Sequence, residues 1–225
     1  MLATSILGLV LGIVLGLASG CASGPPPTPT DLGNRALAEG DWRTAKGHFA
    51  EALRLEATDG SAWLGQAQAQ LAGRDAEATL RSLSSLAKVD PERFRVDAQG
   101  VYADGLEAAV RQRLDRNQSE SALQAVRALV KLEPKRSGLS RLLGLSMVRE
   151  ADRLRLMSDR EAALSLYREA CRVTPLELDA WVGAAEILLE KRKRKQAVRL
   201  LEMARKSHPT AGAIRMLTLQ AMRIR

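Results

Sequence analysis

Residues 163 to 175 read "ALSLYREACRVTP" and residues 197 to 209 read "AVRLLEMARKSHP", and three earlier stretches share their layout. These are "AKGHFAEALRLEA" at 45 to 57, "TLRSLSSLAKVDP" at 79 to 91 and "ALQAVRALVKLEP" at 122 to 134. In each, a small residue is followed four places on by a large apolar one, three further on by Ala or Leu, and five further on by Pro, or by Ala57 in the first. Steps of four and three put those side chains on one face of a helix. A proline after them cannot continue it. Each stretch therefore predicts a helix with one buried face and a fixed stop.

The stops fall at 57, 91, 134, 175 and 209, with spacings of 34, 43, 41 and 34 residues. A period of this size marks stacked helical units, each of which buries its apolar face on the next. A partner helix precedes each stop: Trp63 and Trp181 both lie 28 residues before Pro91 and Pro209. The seven residues in excess before Pro175 predict a helix lengthened by two turns without rotation of its face. Long first helices are expected near 97–117 and 138–157. Asp41, Asp75, Ser119 and Asp159 each stand before a second helix, where an oxygen accepts from free amides. The last stretch, "GAIRMLTLQAMRIR", reads as a lone closing helix.

Composition agrees with an all-α chain, since 46% of the 225 residues are apolar but only 3% are aromatic. Good helix formers dominate, and the β-branched and aromatic residues that strands favour are scarce. The net charge of +8 belongs to one end. Residues 191–225 hold eleven Lys or Arg and the single acid Glu202, a net +10 against −2 for everything before.

With these residues in place, the chain resembles a tetratricopeptide repeat (TPR) array. Leu32, Gly33, Gly40, Asp41, Ala45, Phe49 and Ala52 match the family pattern in repeat 1, and Trp181, Ala185, Ala197, Leu201, Ala204 and Pro209 in repeat 5. Repeat 4 keeps Ala163, Tyr167, Ala170 and Pro175, while repeats 2 and 3 are degenerate, with Thr79 and Leu83, and Ala122 and Val126, in the key places. The resemblance implies a TPR-type α-solenoid of about five helix pairs over 31–225. Its repeats fall at about 26–59, 60–93, 94–136, 137–177 and 178–211, with the terminal helix at 211–225. It also implies a peptide groove along the first helices: Asn34 and Leu37, Gln68 and Leu71, Arg111 and Leu114, Arg155 and Leu156, Glu186 and Leu189. Asn34 matches one position of the two-carboxylate clamp of chaperone-binding TPRs, but the basic set that completes the clamp is missing.

Upstream of the repeats, "GLVLGIVLGLASGCASGPPPTPT" at 8–30 climbs through an uncharged apolar run to Cys21 and then breaks into prolines. The run from Leu2 to Ala18 is at the lower limit for spanning a bilayer, and Gly8, Gly12 and Gly16 would give a spanning helix a close-packing face. From its residues alone it is a membrane anchor, a removable signal or a first core helix. "LASGC" resembles the lipobox of bacterial lipoproteins. That resemblance implies a signal peptide at 1–20, diacylglycerol on the Cys21 thiol and an acylated new amino terminus. "MLATS" departs from most signal peptides in carrying no Lys or Arg. Residues 21–30 then form a Pro-rich tether, whose nine residues past the cysteine reach roughly 28 Å.

No nucleotide loop, zinc spacing or nucleophile elbow appears, so neither an enzyme nor a metal or diffusible cofactor is expected. His48 and His208 read as surface residues, and Cys171 as a packed free thiol. Lys191, Arg192, Lys193, Arg194 and Lys195, with Arg199, form a basic patch in the turn of repeat 5. It lacks aromatic residues for base stacking, so nucleic acid is not expected; acidic headgroups or a cell-wall polymer suit it better.

Lipobox and repeats together look like the lipoproteins that serve as type IV pilus pilotins, or as scaffolds gathering peptidoglycan enzymes. The implied role is an outer-membrane, periplasm-facing interaction scaffold in pilus, motility, secretion or cell-wall assembly, with another envelope protein in the groove. A structural protein with an uncleaved anchor, whose basic end grips acidic lipid or polymer, is the alternative.

Overall fold

The computed structural model describes residues 26–223. Cys21, the segment 1–20, the start of the tether and Arg225 lie outside the described residues. The chain begins with α1 (Pro29–Ala38), α2 (Trp42–Leu55), α3 (Gly60–Ala72), α4 (Ala76–Val89), α5 (Pro91–Asp97) and α6 (Gln99–Asp115). It continues with α7 (Ser119–Leu132), α8 (Leu139–Leu156), α9 (Arg160–Val173), α10 (Leu178–Glu190), α11 (Arg194–Ser207) and α12 (Gly212–Arg223). There is no strand among the described residues, and the fold is the all-α solenoid that the spacing implied.

The fifteen residues at the three helical positions of the repeated pattern are all buried, none more than 5% exposed. They give every second helix, α2, α4, α7, α9 and α11, the same length of 14 residues. The first helices, by contrast, run from 10 residues in α1 to 18 in α8. Irregular spacing between repeats is therefore absorbed by the first helices and the loops before them.

One insertion differs from expectation. Pro91 was read as a stop, yet it ends α4 and also opens α5, which the sequence reading did not foresee. Asp90 caps α5 by accepting from the Arg93 amide at 3.0 Å, and Pro91 occupies the first turn, where its missing N–H costs nothing. The expected long helices appear as α6 and α8.

The turn inside each pair is built the same way five times. Gly40, Arg74, Asn117, Ser158 and Arg192 all adopt positive φ, between 54° and 79°. Each donates its N–H three residues back, from Gly40 to Leu37, Arg74 to Leu71, Asn117 to Leu114, Ser158 to Arg155 and Arg192 to Leu189, at 2.9–3.0 Å. The next residue donates five back, as Asp41 does to Ala36 at 2.9 Å, which completes a Schellman motif. That second residue then caps the following helix: Asp41, Asp75 and Asp159 accept from the amides of Thr44, Ala78 and Ala162.

Ser119 is not the cap of α7. The turn register puts Gln118 in that place, without a side-chain bond. The Ser119 hydroxyl instead donates to the buried Glu150 on α8 at 2.8 Å.

Candidate functional site: the inner face of the first helices

Successive first helices touch one another, α1 with α3, α3 with α6, α6 with α8 and α8 with α10. The second helices pack mainly against first helices on either side. A stack whose first helices meet while its second helices stand apart curves with the first helices inside. The inner face is therefore the candidate site.

Its predicted residues fall into three groups. Asn34, Gln68, Arg111 and Leu156 are exposed, and Leu156 most of all, at 87%. Leu37, Leu71 and Leu114 are half-buried; Leu37 packs on the cluster around Phe49, and Leu114 on the main core. Leu189 must be corrected: it is 5% exposed and belongs to the core. It sits on α10, which packs against α8, α9, α11 and α12.

Two constellations form on this face. Leu114 and Leu156, apart in sequence, line one hollow of about 260 Å³ with Asn117, Arg149 and Asp152. Beside it, Arg155 donates to Glu186 and, at 2.7 Å, to Glu190, which also accepts from Arg160 at 3.0 Å. Burial alone would raise the Glu190 carboxyl, but the Arg155 and Arg160 hydrogen bonds hold it below its ordinary value. Arg155 and Glu186 thus satisfy each other. Arg111 is likewise taken up by Glu107 one turn earlier.

Sequence reasoning missed Asp152, which accepts a hydrogen bond from the Tyr167 hydroxyl and lines the hollow. Burial, then this bond to a carboxylate, pushes the Tyr167 hydroxyl well above its ordinary pKa. The signal was available: Asp152 stands one period of 34 before Glu186, as Arg155 does before Leu189.

The basic patch lies elsewhere, at the α10–α11 turn. Lys191 is half-buried and bonded to Glu161 on α9. Arg192, Lys193, Arg194, Lys195 and Arg199 are exposed and make no ion pair among the described residues. Lys193 occupies the cap position that Asp fills in α2, α4 and α9, and the first turn of α11 has no acid. Cations there oppose the helix dipole.

Among the described residues, no group of three or more His, Cys, Asp or Glu is placed to hold a metal. Cys171 is a free, buried thiol, pushed up to about 12 by burial. His208 is half-buried, with Nε2 3.0 Å from the Pro175 carbonyl oxygen.

Comparison with known proteins places this geometry. The chain is similar to a TPR repeats protein of Bacteroides fragilis, with 16% identity, 88% of this chain and 98% of that one covered, and a TM-score of 0.57. It is also similar to a thermophilic TPR protein of Thermus thermophilus, with 20% identity, coverage of 86% and 97%, and a TM-score of 0.34. A third is YrrB, a TPR protein with an unusual peptide-binding site, at 16% identity, coverage of 86% and 90%, and a TM-score of 0.44. No curated protein matches the chain by sequence. The pattern of the tetratricopeptide repeat family matches residues 30–91 and 148–211, more than half of the chain. The chain belongs to the tetratricopeptide repeat family.

Proposed function

We propose that this chain is a lipid-anchored scaffold of the bacterial outer membrane, facing the periplasm and holding a segment of another envelope protein against its inner face. Tetratricopeptide arrays are protein–protein interaction scaffolds, and the observation that carries the reading here is Leu156. A leucine 87% exposed beside an apolar hollow, flanked by Arg149 and Asp152, is surface for a partner's apolar side chain between polar contacts. Acylation at Cys21 and the tether that follows keep the array close to the membrane. The unpaired cations from Arg192 to Lys195 add contact with acidic headgroups or cell-wall polymer. A pilotin-like or scaffold role in pilus, motility, secretion or cell-wall assembly follows from that combination.

Two measurements test the reading. Radiolabelled palmitate is incorporated into the wild type and not into Cys21→Ala, which leaves the membrane fraction; an unlabelled wild type would sink the anchor. A partner identified by cross-linking from membranes is lost in Leu156→Glu, which disturbs no core contact. Undiminished capture would remove the inner face as the binding surface.

A further inference from the structure

The outer face carries a second feature that the repeat pattern does not require. Between α9 and α11 runs a trough of about 710 Å³. Its floor is apolar, formed by Trp181, Leu200 and Met203, and its rim is cationic, with Arg168 and Arg172 on α9 and Lys206 on α11. Met203 is 55% exposed. No carboxylate lines the trough: Glu169 of α9 faces Arg127 at 3.4 Å, and Glu202 of α11 is exposed outside it. Pro175 closes one end of the trough.

The equivalent step at the other end of the array shows that this is not generic. Between α2 and α4 the same indole is kept: Trp63 donates to the Ala57 carbonyl and Trp181 to that of Pro175, both at 2.9 Å. Yet Leu200 and Met203 correspond there to Ser82 and Ser85, and Arg168 to Ala50. Arg54, the counterpart of Arg172, is bound to Glu51 at 2.6 Å. Arg172 and Lys206 have no acidic partner among the described residues.

We propose that the trough between α9 and α11 docks an acidic amphipathic helix of a partner protein, on a surface separate from the inner groove. Charge complementarity selects the occupant's sign, because cations stand on both banks and no acid stands between them. The openness of the trough selects its form. An alkyl chain lying there would leave one side in water, whereas an amphipathic helix buries its apolar stripe on Leu200 and Met203 and turns its polar face outward. Acids flanking that stripe meet Arg168 and Arg172 on one side and Lys206 on the other. Met203, unbranched and polarizable, suits a floor that must fit an incoming side chain.

The test uses the full chain and a fluorescent synthetic peptide of about 15 residues, roughly four helical turns, with Leu along one stripe and Glu on both flanks. Anisotropy titration at low salt shows saturable binding, weakened tenfold or more by Met203→Glu and by Arg172→Glu. Both residues are exposed, so the variants retain their helical circular dichroism. Leu156→Glu on the inner face leaves the affinity unchanged, and a peptide with Lys in place of Glu does not bind. Binding that is lost with Leu156→Glu and kept with Met203→Glu would place the peptide in the inner groove and overturn the proposal. So would no peptide binding alongside Met203-dependent binding of phosphatidylglycerol vesicles. None of these results depends on whether Cys21 is acylated.

Discussion

The two ends of this array and its middle reach one architecture by different packing. At the ends, an aromatic side chain fills a socket made by glycine. The Phe49 ring of α2 lies against Gly33 of α1 and Gly65 of α3, and the Tyr167 ring of α9 against Gly183 of α10. Gly65 follows Phe49 and Gly183 follows Tyr167 by the same sixteen residues. In the middle the ring is gone, and Thr79 faces Gly105. The buried polar residues, Thr79, Ser82, Ser119, Ser146 and Glu150, all fall between positions 79 and 150. Ion pairs gather there as well: Arg113 with Glu77, and Arg136 with Asp104, Glu107 and Glu133. The family pattern matches the two ends and omits 92–147. Both joints lie inside the matched segments, and in the repeats between them the apolar Leu83 and Val126 stand at the ring's position.

The sharpest way to break this comparison is to make one substitution in both regions. A Cβ on Gly65 would overlap the Phe49 ring, which has no free space to enter. Gly65→Ala is expected to cost about 3 kcal/mol, read as a lowered urea midpoint. A Cβ on Gly105 stands 3.2 Å from the Thr79 methyl, a contact that a small shift relieves. There the helix propensity gained, about 1 kcal/mol, offsets the crowding, and Gly105→Ala stays within about 0.5 kcal/mol of wild type. Equal losses at the two sites would mean that the middle relies on the same joint.

The same contrast decides how far the sequence could be read. Second helices were legible because their face, stop and length are all local, and every residue of the pattern's helical face is buried. Pro91 was ambiguous, because a proline that stops one helix also suits the first turn of the next. Only the triplet Asp90, Pro91 and Glu92, a cap followed by a first turn, points to α5. Ser119 looked like a cap because serine often is one, but the turn residue four places before the small Ala122 is Gln118. Of the inner face, the exposure of Leu156 was legible and the burial of Leu189 was not. Burial there depends on which helix covers α10, a tertiary fact with no local signature. Nothing local announced the trough either, since its two banks, α9 and α11, come from helices one repeat apart.

Glu150 probes the polar middle directly. It is 5% exposed and accepts from Ser119 at 2.8 Å and from Arg153 at 2.5 and 2.8 Å. Glu150→Ala strands the Ser119 hydroxyl and part of the Arg153 guanidinium, at a cost of about 2 kcal/mol. Arg153 pulls the Glu150 carboxyl below its ordinary 4.5, burial opposes this, and Ser119 assists. A depressed folded pKa means stability that is complete above the unfolded value and lost as the pH falls through the folded one. Urea midpoints of the wild type and Glu150→Gln should therefore differ near neutral pH and converge in acid, as the pH falls through the depressed carboxyl. A constant gap would show that the charge of Glu150 contributes nothing.

At the start of α11 the comparison concerns caps. Where α2, α4 and α9 have Asp, α11 has Lys193, followed by Arg194 and Lys195. Lys193→Asp supplies a cap and complements the dipole, and is expected to raise stability by about 1 kcal/mol. If the basic turn holds an acidic polymer or headgroup, the same variant loses retention on anionic vesicles or purified peptidoglycan. Gained stability with unchanged retention on both would mean that the cations there are only solvated.

The smallest expected effect separates the five turns from one another. All five turns close with the same pair of backbone bonds, so their positive-φ residues differ only in how readily each side chain accepts that conformation. Gly40 accepts it freely, asparagine tolerates it, and Arg or Ser must be forced into it. Arg74→Gly and Ser158→Gly should each stabilise by about 0.5 kcal/mol, because relieved strain exceeds the entropy that glycine adds to the unfolded chain. Asn117→Gly should change little, and Gly40→Ala should destabilise by about 1 kcal/mol. That ordering, measured by thermal midpoint, follows from the side chain alone if the turns are equivalent. A departure at Asn117, the turn of the polar middle, would show that the substituted packing there strains the backbone as well.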